Sequence, residues 1–114
     1  MVIHHLALAA DWAAARVVGE YRVSTLGADL DEVGFIHASF AEQLAGTAAR
    51  FYRSVTEPLV VLVIDPDRLG CPVVVEEVGG GDRFPHIYGP VPTDAVVEVR
   101  PARMVDGELQ LLDR

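Results

Sequence analysis

Lysine is missing from this chain of 114 residues, and all nine basic side chains are arginine. A Schiff-base mechanism and a P-loop both need a primary amine, so both are excluded. A single cysteine, Cys71, can close no disulfide within the chain and supplies no cysteine-rich zinc site. It stands between Gly70 and Pro72 with no histidine near it, and reads as a small packing residue. No stretch free of charged side chains extends much past Met1–Ala10, far short of the ~20 apolar residues of a membrane span. The amino terminus lacks the basic-then-apolar order of a signal peptide, and Asp11 interrupts its apolar run. A cytoplasmic protein without a membrane partner is the expectation. Positive charge is also scarce. Nine Arg against seventeen Asp and Glu leave −8, and repulsion from phosphate backbones argues against a nucleic-acid partner.

What remains is a folding composition: 51% apolar and 23% charged, at a length that suits one domain over residues 1–114. Val2–Leu8 is apolar on both alternating faces and reads as a central strand. Asp11–Val18, rich in alanine and ended by Gly19, reads as a short helix. Tyr21–Leu26 is a brief extended segment, and Gly27–Glu32 a polar loop. Gly34–Ser39 reads as a second strand running straight into a helix. The Ser39-x-x-Glu42 spacing suggests a capping box, after which Phe40, Leu44, Ala48 and Phe51 recur on one helical face turned to the core. That helix should end near Arg53. Leu59–Ile64 is a six-residue apolar strand stopped by Asp65-Pro66-Asp67. Val73–Val78 is another strand, closed by Gly79-Gly80-Gly81, and Val96–Arg100 is strand-like. Asp106-Gly107 marks a hairpin between Met104-Val105 and Leu109–Leu112. Strands stop alternating with helices after Pro58, so the order predicts an α+β domain rather than a doubly wound one.

Histidines and glutamates dominate the candidate chemistry. His4 and His5 are neighbours in a strand and must face opposite sides, so only one can enter a given cleft. His37 shares a side of its strand with Phe35 and Ser39, and His86 shares one with Tyr88. Glu76 and Glu77 also point in opposite directions, and which of them turns inward is open. Each residue has a plain structural use: a strand histidine bonded to a carbonyl, Ser39 as a helix cap, the glutamates as edge charges. No His-Glu-x-x-His, His-x-His or cysteine pair is present, so no metal is expected, although histidines and a glutamate from separate strands remain an alternative metal site. The absent Gly-x-Ser-x-Gly and the closeness of His37 to Ser39 speak against a serine hydrolase.

Together Ile3-His4-His5-Leu6-Ala7, Gly34-Phe35-Ile36-His37-Ala38-Ser39 and Phe84-Pro85-His86-Ile87-Tyr88-Gly89-Pro90 carry a resemblance. Asp11-Trp12, Gly19-Glu20-Tyr21, Arg50-Phe51-Tyr52 and Leu62-Val63-Ile64-Asp65-Pro66 extend it over nearly the whole chain. The sequence resembles the family known as domain of unknown function 952, with His4 where an aromatic is usual and Ala38 where a cysteine is frequent. That resemblance implies a fold similar to the ADP-ribosyltransferases: two short helices on a mostly antiparallel split sheet, with NAD between two small sheets. It further implies a first-strand histidine holding a ribose, a polar residue on the second strand, an aromatic near the nicotinamide and a later carboxylate. His5, His37, Tyr88 and Glu76 are the positions that match. On this reading His5, His37, Glu76 and His86 carry the chemistry. His5, His37, Ser39, Arg50, Phe84 and Tyr88 contact the dinucleotide, with Arg50 meeting the pyrophosphate. The expected activity is transfer or hydrolysis of ADP-ribose from NAD, and the alternative is a module that binds a polar small molecule without turnover. The oligomeric state is open.

Overall fold

Six consecutive apolar residues without polar alternation demand burial on both faces, and Leu59–Ile64 obtains it: every one of its residues is buried. The computed structural model describes residues 1–78 and 80–112. Gly79, one of the three glycines expected to close a strand, lies outside the described residues. The chain begins with β1 (Ile3–Leu8), α1 (Ala9–Val18), β2 (Glu20–Tyr21), β3 (Val23–Thr25) and β4 (Ala28–Asp29). It continues through α2 (Leu30–Val33), β5 (Ile36–His37), α3 (Leu44–Phe51) and β6 (Leu59–Ile64). Then come β7 (Val73–Glu77), β8 (Arg83–Ile87), β9 (Val91–Pro92), β10 (Val96–Val105) and β11 (Glu108–Leu111). This is an α+β fold, and among the described residues every strand pairing is antiparallel. No helix among them is long and apolar enough to cross a membrane.

The largest sheet has the order β1-β6-β10-β11, and a smaller one the order β5-β8-β7. Ile3, Ala7, Leu62 and Ile64 on one face of the large sheet pack with Trp12 and Ala15 of α1. The same cluster takes in Ile36 and Ile87 from the inner face of the small sheet. Leu6, Leu59, Val61 and Ala102 on the other face pack with Ala48 of α3 and with Tyr52. The small sheet therefore has one face on the core and one free to carry a site.

Several expectations are corrected by particular contacts. β1 is an edge strand, and among the described residues its outer side meets a single backbone bridge, to Ser39, with His4 N to Ser39 O at 2.8 Å. A run apolar on both faces reports how the faces are covered, not how the edges are paired. That bridge uses the backbone of Ser39, so Ser39 caps no helix and its hydroxyl bonds Thr47 Oγ1 at 2.9 Å. Gln43 Oε1 instead accepts from Phe40 N at 3.0 Å, and a 3-10 turn over Ala41–Gln43 leads into α3. Phe51 is 41% exposed, so the buried residues of α3 are Thr47 and Ala48. The segment read as a polar loop at Gly27–Glu32 holds β4 and α2, where Asp29 and Glu32 form the capping box that Ser39 and Glu42 do not. β10 passes through Pro101 and runs on to the hairpin. α1 ends at Gly19 with φ 94°, its N–H on the carbonyl of Ala15. At Asp106 (φ 52°) and Gly107 (φ 81°) the tight turn joins β10 to β11.

Candidate functional site

Strand alternation places Phe35 and His37 from around β5, Phe84 and His86 from β8, Tyr88 just beyond it and Glu76 from β7 on the outer face of the small sheet. His37 and His86 are direct cross-strand partners. Their rings lie 5.4 Å apart, with His37 Nδ1 3.4 Å from His86 Nε2. The other nitrogen of His86, Nδ1, is 2.7 Å from Glu76 Oε1, which also accepts from the Tyr88 hydroxyl. Glu77 points away and is exposed, so Glu76 is the member of the acidic pair that enters the site.

Charge fixes the proton positions. A carboxylate only accepts, so His86 donates through Nδ1–H, and its Nε2 is an acceptor when the ring is neutral. His37 then donates through Nδ1–H across the longer 3.4 Å contact. This leaves a lone pair on His37 Nε2, which is buried and, like His4 Nδ1, has no hydrogen-bond partner among the described residues. Unpartnered buried nitrogens are uncommon, and each calls for an explanation. Burial, then the neighbouring His86 and Arg50, lower the His37 pKa to about 4, so the ring is neutral at pH 7. The Tyr88 and His86 hydrogen bonds hold the Glu76 carboxyl below its ordinary range. The same bond to Glu76 raises the Tyr88 hydroxyl.

Aromatic rings frame the pair. Phe35 stacks on His86 at 4.0 Å and 14°, while Phe84 and Phe51 approach His37 at 5.0 and 6.0 Å. Phe51 and Phe84 also line a groove of about 300 Å³, together with Thr47, Arg50 and the carboxylates of Glu42 and Asp82. A second groove of about 570 Å³ shares Arg50 and Phe51 with the first. The Arg50 guanidinium sits 5.0 Å from the Phe51 ring centroid, a cation–π contact at the junction of the two.

His5 belongs to a different environment. Its Nδ1 donates to the carbonyl of His37 at 2.6 Å, and its Nε2 accepts from the Tyr21 hydroxyl at 3.0 Å. The ring is 2% exposed, and burial lowers its pKa to about 4. Neither nitrogen is left to hold a ribose, because both are spent on the chain's own groups. Ser39 is likewise sealed behind Thr47, at 1% exposure. The structure thus brings together His37, His86, Glu76, Tyr88 and Phe84, with Arg50 close by, and keeps His5 and Ser39 underneath.

Three contributors carry no chemical signal in the sequence: Tyr21, Ser24 and Thr47. Ser24 Oγ accepts from the His37 amide at 3.2 Å. Phe35 was legible through its alternation with His37, but Tyr21, Ser24 and Thr47 reach the site only through long-range packing. Among the described residues no group of three or more His, Cys, Asp and Glu is arranged to hold a metal ion.

Residues 6–99 match the family described as Protein of unknown function (DUF952). The chain belongs to the DUF952 family. Solved structures of protein CC0527 from Caulobacter crescentus are similar to this DUF952 chain at 32% identity. One crystal structure covers 96% of this chain and 94% of that one with a TM-score of 0.83, and a double-mutant crystal structure gives 0.82 over the same shares. The solution structure covers 94% and 90%, with a TM-score of 0.75. No curated protein matches the chain.

Proposed function

We propose that this DUF952 protein is a small enzyme acting on NAD or a related nucleotide, transferring or hydrolysing its ADP-ribose, with His37 as the residue that meets the reactants. The buried, unpartnered Nε2 of His37 at the end of the Glu76–His86 chain carries the reading. A neutral imidazole backed by a second imidazole and a carboxylate is an arrangement suited to receiving a proton. In the reaction the nicotinamide–ribose bond breaks and its electron pair leaves with the nicotinamide. The oxygen of water or of an acceptor hydroxyl bonds the anomeric carbon, and its proton passes to His37 Nε2, which the Phe51 and Phe84 rings beside it must first uncover. Positive charge built on the ribose is stabilised by nearby carboxylate, the part assigned to Glu76.

Within this proposal Phe84 and Tyr88 supply aromatic surface and Arg50 meets the pyrophosphate. His5 acts from beneath by fixing the backbone of the strand that carries His37. A negatively charged substrate near Arg50 would raise the His37 pKa from about 4 toward the working range, coupling binding to basicity. The single free thiol of Cys71 fits a cytoplasmic setting.

Nicotinamide release from NAD is the test, with binding heats measured in parallel. Wild type should release nicotinamide, and His37→Ala should lower the rate by about 100-fold or more. Binding without release over hours would favour a ligand-binding module, a reading that the low pKa of His37 also suits. No heat and no product would remove NAD as the substrate.

A further inference from the structure

Charge is divided unequally between the two grooves that meet at Arg50 and Phe51. The smaller has one guanidinium, Arg50, against two carboxylates, Glu42 and Asp82. The larger has two guanidiniums, Arg50 and Arg53, against the single carboxylate of Glu57. In a chain of net charge −8, a net positive hollow runs against the whole-molecule balance. Arg22, Arg68 and Arg100 are paired with nearby carboxylates, whereas Arg50 and Arg53, like Arg16, Arg83 and Arg103, make no ion pair among the described residues.

The position of Arg53 is set by the hairpin opposite. A Cβ built on Gly107 would fall 2.7 Å from Arg53 Cζ and Nη1 and 2.9 Å from Nη2, so the guanidinium rests against the tip of the β10–β11 turn. The glycine that the turn requires for its positive φ thus also gives the arginine a seat. Leu8, Leu26 and Val55 supply an apolar wall to the same groove. Its volume, about 570 Å³, is within the range of small-molecule sites.

We propose that this larger groove is an oxyanion subsite, taking a phosphate- or carboxylate-bearing molecule with a small apolar part, its anion on Arg50 and Arg53. Guanidiniums match both oxyanions through paired N–H donors, and the apolar wall takes the remainder of the ligand. The inference goes beyond the NAD reading and does not depend on His37. Because the grooves share Arg50 and Phe51, an anion held on both guanidiniums and the pyrophosphate of a bound dinucleotide would compete for Arg50.

Titrations of the labelled full chain with phenyl phosphate, benzoate and neutral phenol, followed by amide NMR shifts, test it. Phenyl phosphate or benzoate should perturb Leu26, Gly27 and Val55, and phenol should not. The stronger of the two anions identifies whether phosphate or carboxylate is preferred. Arg53→Gln should weaken the anion by about tenfold, while Arg16→Gln, which removes the same charge from α1, should leave it unchanged. His37→Ala should retain anion binding even where it abolishes nicotinamide release, which keeps this inference separable from the enzymatic one. No shifts up to about 20 mM, equal shifts with phenol, or an affinity indifferent to Arg53→Gln would each overturn it.

Discussion

The two larger sheets of this molecule divide its labour. In the four-stranded sheet, β6 is buried on both sides along its whole length. In the three-stranded sheet, β7 leaves Val74 and Val75 more than 40% exposed, and the neighbouring face holds two imidazoles, a carboxylate and an unpartnered nitrogen. The first sheet is built mainly for burial of apolar area, although His4 Nδ1 on β1 is also buried without a partner, and the second gathers polar groups that bond one another. His5 links them: its side chain rises from β1 and holds the carbonyl of His37 on β5.

Three measurements can break or sharpen that contrast. Leu62→Ala in β6, at a position with 0% exposure, should destabilise the fold by about 3–5 kcal/mol in chemical denaturation. A loss below about 1 kcal/mol would mean that the large sheet is not the stabilising one. Acid should act next, through the link between the sheets. The folded-state pKa of His5 lies near 4, below its ordinary 6.5, so the unfolded chain binds more protons between those values. His5 therefore contributes stability that is present above pH 6.5 and is lost as the pH falls toward 4, up to about 3 kcal/mol. His37 acts in the same direction. Denaturation at pH 7 and pH 4.5 should show the decline, and a flat profile would contradict a neutral, sealed His5. Smallest of all, Val75→Thr on exposed β7 should change stability by no more than about 0.5 kcal/mol.

Strands and turns written in local patterns were legible in the sequence. The six-residue run became β6, Gly19 ended α1, and Asp106-Gly107 made its hairpin. Strand alternation correctly separated His4 from His5 and Glu76 from Glu77, although it could not say which glutamate turned inward. The capping box was misplaced because two segments carry the same spacing, and only the pairing of Ser39 with His4 decides between them. Tyr21 meets His5 across sixteen residues of sequence, and Thr47 meets Ser39 across eight. No local spacing announces contacts of that kind. Phe51 fitted the apolar face of a helix by periodicity, yet the helix turns that residue outward, where it becomes a wall of both grooves.

The line from Tyr88 and Glu76 through His86 to His37 has unlike ends. At one end Tyr88 and Glu76 are each 38% exposed, by whole residue and by side chain respectively, while at the other His37 Nε2 is closed off. Each imidazole can accept a hydrogen on one nitrogen and release one from the other, so tautomers can shift along the row together. In the proposed enzyme, a guest covering His37 would shut out water there without isolating the ring from the bulk. Protons would then pass along the outer face of the small sheet, by the edge of Glu76 and Tyr88 that the guest leaves open.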